Sequence, residues 1–173
     1  MSQLANEFYD DQFRFFPGEA TLAGDHRFDN ELGQYHREAL TEYIRKLKDL
    51  RSRLEKLDTT AGRKEENIDR CVLLSEINGS LIKFDIMREF ERNPTNYLPL
   101  DALNILISRG HRPLVERAEC LRNRLAQYPR VLAEGKNNLL DPPRVFIEIA
   151  LEQAAGSLGF FQDTIGTVTQ DIP

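Results

Sequence analysis

Apolar residues recur at intervals of three and four along almost the whole chain, the period of a helix face rather than the alternation of a strand. The first run, Ser2 to Phe16, sets Leu4, Phe8, Phe15 and Phe16, with Tyr9 and Phe13, in a wide stripe. Ser2 can cap this helix and Pro17 stops it. A short helical turn, PGEATLA, follows, and GDHRFDNELG then reads as a loop, because its glycines, Asp and Asn favour turns.

A second helix is expected from about Gln34 to Asp58. Leu40, Tyr43, Leu47, Leu50, Leu54 and Leu57 alternate three and four apart, an a/d seam for another helix. After a break at TTAGRKEEN, a third and longest helix is expected from about Glu65 to Arg92. Ile68, Val72, Ile82, Ile86 and Phe90 lie on one side, while Cys71, Leu74, Ile77 and Leu81 widen the apolar surface. A helix apolar over most of its girth is expected at the centre of its bundle. Asn93-Pro94 ends it, because proline pushes the residue before it out of the helical region.

The pattern continues with a fourth helix, Tyr97 to Arg109, and a fifth from near Pro113 to Tyr128. Pro129 is expected to break the chain and begin a short sixth piece. Asp141 and Pro142 open the last helix, which is expected to reach Thr164 or beyond. It is uncharged from Gln153 to Gln162 and its apolar residues point several ways, so burial on more than one side is expected. Gly156 and Gly159 there each cost about 1 kcal/mol relative to alanine, and suggest a close backbone neighbour. The fold class is all-α: an irregular bundle of about six to seven helices, mostly antiparallel neighbours, forming a single helical domain over residues 1–173.

Composition narrows the functions. The chain has 173 residues, 40% hydrophobic and 29% charged, which suits a folded domain and not a disordered one. Its net charge of -5 disfavours binding built on many phosphate contacts. Eight basic and three acidic residues lie between Arg45 and Lys64. With acids interleaved and no aromatics among the bases, they read as a solvated helix face rather than a nucleic-acid patch. No apolar run is long enough to span a membrane, and no secretion signal is visible, which points to the cytoplasm. Cys71 and Cys120 sit in helical apolar patterns and are expected to be buried free thiols, with a disulfide as the alternative.

Candidate chemistry is sparse. No HExxH, GxSxG, GxGxxG or P-loop motif occurs, so no catalytic residue and no metal site is assigned. Of the three histidines, only His26 has an acid three or four positions away, Asp29, and a loop-ordering hydrogen bond between them is expected. The carboxylates Glu38/Glu42 and Asp85/Glu89 stand one turn apart and are expected to be solvated or paired with cations such as Arg88 and Arg92. The Asn93-Pro94-Thr95-Asn96-Tyr97 turn is the most distinctive local feature. It reads as a helix stop whose Asn side chain bonds free backbone groups, or as a site where Asn93 and Tyr97 face a substrate channel.

Three segments taken together resemble a known family: PGEATLAGDHRFDNEL, EFERNPTNYL, and RPLVERAECLRNRLAQYPRVLAEGKNNLLDPPRVFIEIALEQAAGSLGFF. In this order and spacing they resemble the N-terminal part of the bacterial family catalogued as domain of unknown function 885. The resemblance runs from about Phe8 to Asp163. It implies a place in longer proteins regarded as candidate zinc metallopeptidases, whose HExxH-like zinc site lies in the C-terminal half and whose N-terminal helices form a channel wall or lid. It therefore implies zinc outside this chain and no cofactor within it. The implied partner is the C-terminal catalytic region of a longer chain. The residues themselves leave open a free-standing interaction module that self-associates through its last helix, without nucleic acid or membrane.

Overall fold

The computed structural model describes residues 2–57, 64–159 and 161–162. Every regular element among them is helical. Eight α-helices follow one another: α1 Ser2–Phe15, α2 Pro17–Ala23, α3 Arg37–Glu55, α4 Lys64–Leu81, α5 Glu89–Arg92, α6 Leu100–Ser108, α7 Leu114–Asn138 and α8 Arg144–Gly159. Tight 3-10 turns occupy His26–Phe28 and Pro94–Tyr97, and a π-helical segment occupies Ile82–Ile86. The chain divides into two compact units. The first comprises Met1–Gln12 and His36–Glu89, and the second Phe13–Tyr35 and Phe90–Pro173.

In the first unit α3 packs on α4. The α3 seam is used as its spacing predicts, with Tyr43, Leu47, Leu50 and Leu54 all buried. His36 caps the helix, its Nδ1 lying 3.3 Å from the Ala39 amide. The third helix departs from expectation in two ways. It does not run unbroken to Arg92: after α4 the Met87 amide donates to Ile82 O, one residue beyond α-helical spacing, and Arg88 takes a φ of 53°. A left-handed non-glycine residue cannot continue a right-handed helix, so α5 starts afresh. Nor is the helix central. Leu73, Ile77, Leu81 and Phe84 are buried, whereas Ile68, Val72, Ile82 and Ile86 are exposed, Ile86 by 71%. Cys71 lies on the outward side and is exposed, while Cys120 is buried and both thiols are free.

In the second unit α2 packs on α6, α6 on α7, and both α7 and α8 on the 94–97 turn. The α2–α6 contact is close because Gly18 lacks a side chain: a Cβ there would stand 2.8 Å from the Cβ of Ala102. Helix α7 corrects the expected break at Pro129, which sits inside a continuous helix. Proline removes one backbone bond and costs about 3 kcal/mol in a helix interior. Burial on both sides of it, with Leu121 and Arg124 before and Val131, Gly135 and Asn138 after, carries the helix through.

Helix α8 buries Ala150 and Ser157 but leaves Val145, Ile147, Ile149, Leu151 and Leu158 exposed. A Cβ on Gly156 would meet nothing within 4 Å among the described residues, so none of those neighbours requires that glycine. Gly159 closes α8 and is half-buried, and the expected extension to Thr164 runs outside the described residues.

Candidate functional site

The Asn93–Tyr97 turn is built to hold its own shape. Asn93 is extended, and its Oδ1 accepts from the Thr95 amide at 3.1 Å and from the Thr95 hydroxyl at 2.8 Å. This is the local side-chain-to-backbone bond that Asn offers where a helix must stop. Tyr97 is buried, its hydroxyl donating to Phe90 O and accepting from Asn138 Nδ2 at 3.1 Å. Its ring packs against the α7 backbone at Gly135, where a Cβ would come within 2.5 Å of Tyr97 Cγ. Phe15, Tyr35 and Phe90 complete an aromatic cluster around it. Neither Asn93 nor Tyr97 is among the residues that line the cleft beside this turn.

An open cleft of about 530 Å³ starts beside this turn and runs between α2 and α6. Thr95 and Leu98 form one end, with Gly18, Glu19 and Leu22 on one wall and Asp101, Ala102 and Ile105 on the other. Tyr35 also lines it, and burial pushes its phenol above the ordinary tyrosine value, so it stays protonated at neutral pH. The cleft offers apolar walls with two carboxylates.

Polar groups of α7 hold the loop that precedes α3. Gln127 Nε2 donates to Asn30 O at 2.7 Å, and Gln127 Oε1 accepts from the Leu32 amide at 3.3 Å. Arg130 donates to Gly33 O at 2.6 Å, Glu134 accepts from the Tyr35 amide at 2.8 Å, and Asn138 donates to Tyr35 O. Asn123 adds a bond to the Asn30 side chain at 2.9 Å. These positions fall three or four apart on one helix face, so α7 reads the loop backbone residue by residue.

Deeper in, Arg124 is fully buried. Its guanidinium donates to Ala102 O, and to Thr21 Oγ1 at 2.7 Å, with Pro17 O and Phe28 O each at 3.3 Å. The Thr21 hydroxyl passes a bond on to Asp29 Oδ1 at 2.7 Å. Burial pulls the Arg124 value down, and the Asp29 carboxylate works against that fall. Arg–Thr–Asp is thus a buried ion pair relayed through a hydroxyl.

The expected His26–Asp29 contact is present at 3.1 Å, from His26 Nδ1 to Asp29 Oδ2. A third group, from the α6–α7 connection, stands with it. His111 Nε2 lies 3.4 Å from the same Oδ2, and the two imidazoles stack with centroids 4.0 Å apart. His111 does not align for a hydrogen bond, and both of its ring nitrogens are buried without one. Spacing along the chain could not show this trio, because His111 and Asp29 are joined only by the fold.

The remaining candidates are ordinary surface chemistry. The α3 cations are paired: Lys46 with Asp11, Arg53 with Glu7 and Asp49, Lys48 with Asp85, and Arg45 with Glu42. Glu89 meets Lys83 and Glu38 meets His36, so these carboxylates have cationic or imidazole neighbours. Burial pushes the Cys120 thiol up, which suits a packed rather than a nucleophilic cysteine.

These features define a fold that is all-helical among the described residues, with an open apolar cleft and a buried polar relay, in a sequence without the HExxH pair that a zinc peptidase of that kind needs. The chain belongs to the family described as "Bacterial protein of unknown function (DUF885)", which matches residues 17–172. No curated protein matches it. Among solved structures, a proposed lipoprotein of unknown function from Shewanella oneidensis is similar, with a TM-score of 0.87 and 20% identity. That likeness covers 98% of this chain and 31% of the other, so the chain spans under a third of its neighbour's length. At this identity the likeness shows the fold. No helix among the described residues is long and apolar enough to cross a membrane.

Proposed function

We propose that this chain acts as the N-terminal helical region of a larger DUF885 protein, walling or covering a substrate channel in a zinc-metallopeptidase-like enzyme. The coverage asymmetry carries the reading: a structure matched over 98% of this chain is itself matched over only 31%. The α2–α6 cleft supports it, as a concave apolar surface with a few polar groups is how ligand-binding walls are made. In this reading the catalytic zinc and its base come from residues beyond the motifs of this chain. The test supplies the purified 173-residue chain with zinc and a pool of quenched peptides, beside a longer family protein that includes this region. The longer protein is expected to cut and the chain to leave every peptide intact. Peptide hydrolysis by the chain itself would overturn the reading.

A second reading, a free-standing helical interaction module, is favoured by the apolar residues that α8 exposes. Sedimentation separates the two: a dimer broken by Leu151→Glu favours the module, and a monomer disfavours it. Location follows the same division. Free thiols support the cytoplasm, whereas the description of the Shewanella protein as a lipoprotein supports the cell envelope, and cell fractionation decides.

A further inference from the structure

We propose that His26, Asp29 and His111 form a binding site for a divalent transition-metal ion of the zinc type. It is independent of the peptidase reading and shares no residue with an HExxH motif. Three donor atoms, one from each residue, lie within 4.8 Å of one another. The two distances to Asp29 Oδ2 are 3.1 and 3.4 Å. Ligands about 2.0–2.1 Å from a zinc ion stand roughly 2.8–3.4 Å apart in octahedral or tetrahedral geometry, so these two edges already fit, and the two ring nitrogens must draw together to share the ion.

The donor set suits the ion. Two neutral imidazoles with one carboxylate favour zinc, iron(II) or cobalt(II) over calcium or magnesium, which prefer oxygen. The carboxylate is oriented from behind, as a metal ligand usually is. Thr21 binds Asp29 Oδ1 and is itself bonded by Arg124, which leaves Oδ2 facing the two rings. Asp29 is 1% exposed, so a charge there calls for compensation on its imidazole side as well as through Thr21.

His111 supplies the second observation. Its ring nitrogens are buried and make no hydrogen bond, although Nε2 is near the carboxylate. A cation between Nε2 and Oδ2 gives that nitrogen a partner. The rings are parallel, so convergence on one ion requires each to turn about its last torsion, which is soft for histidine. The His26 and His111 side chains remain 26% and 15% exposed, which leaves a solvent route for the ion and room for water as a further ligand. Bound there, the ion would clip the 26–28 turn to the α6–α7 connection. Arg117 already anchors that connection, donating to Leu106 O, Ile107 O and Arg112 O.

The full chain, stripped with a chelator and titrated with cobalt(II) and then zinc, tests the site. One equivalent is expected to bind, with a visible cobalt spectrum that zinc abolishes. Ring resonances of His26 and His111 should shift while those of His36, which caps α3 elsewhere, stay put; this reading needs no variant. Thr21→Val is expected to weaken binding about 10–100-fold, and His111→Gln to remove stoichiometric binding. Unshifted His26 and His111 resonances at excess zinc, equal shifts at all three histidines, or unchanged binding by a folded His26→Gln/His111→Gln protein would each overturn the proposal.

Discussion

The two compact units use polar residues in opposite ways. In the first, charged side chains meet one another near the surface: Lys46 with Asp11, Arg53 with Glu7, Lys48 with Asp85. The core beneath them is a seam of Tyr43 and leucines against α4. In the second, arginine, glutamine and asparagine side chains reach past other side chains to bind backbone. Arg124 holds three carbonyls, and Gln127, Arg130, Glu134 and Asn138 hold a loop. Exposed ion pairs add little because water competes for both partners. A buried donor that satisfies buried carbonyls is costly to lose, since each group left behind stays desolvated. The second unit is therefore the more brittle to single polar substitutions.

The sharpest way to break this contrast is Arg124→Met. Removing one partner of a buried pair costs about 3–5 kcal/mol, and methionine keeps much of the volume. Hydrogen exchange is expected to accelerate along α7 and residues 17–35, and a denaturation loss under about 1 kcal/mol would show that the relay is dispensable. Of intermediate size is a pair of glycine substitutions. Gly135→Ala drives a methyl into the Tyr97 ring and is expected to cost about 1–3 kcal/mol. Gly79→Ala, in α4 of the first unit, meets nothing within 4 Å among the described residues and is expected to gain about 0.5–1 kcal/mol. Opposite signs in urea titrations support the contrast, and equal losses refute it. The smallest effect is expected from Arg53→Gln. Its pairs with Glu7 and Asp49 hold the guanidinium above its ordinary value, yet they are open to solvent. Any difference in melting temperature from the parent should vanish at roughly 1 M salt, where the Debye length is about 3 Å; a salt-independent difference would mean the pair is packed rather than screened.

The same contrast explains what the sequence made legible. The all-α class, the α3 seam and the helix starts at Pro17 and Pro113 follow from helical period and capping rules, and the structure contains them, whereas the last helix starts at Arg144, two residues after the expected Pro142. Periodicity misjudged α4 because that helix carries two apolar stripes. Leu73, Ile77 and Leu81 won the core, and Ile68 and Val72 faced out. Pro129 misled because local propensity was overridden by burial on both sides of it. The candidate site was half legible. His26 and Asp29 are three apart and their contact was expected, but His111 arrives through the fold. Asn93 read correctly as a residue that bonds backbone, and Tyr97 proved to be a packed aromatic beside the cleft rather than part of its lining.

The run of contacts from Asn123 to Asn138 carries a consequence for how this region can vary. Most of its bonds go to amides and carbonyls of the loop, which every residue type possesses apart from the proline amide. The instructions for the loop's path are thus written in another part of the chain. A loop side chain such as that of Glu31 can drift with little effect on that path. One residue inserted in α7 between Asn123 and Asn138 would turn everything after it by about 100° and send the remaining contacts to the wrong side. Tolerance in the loop and intolerance in the helix are two faces of one division of labour.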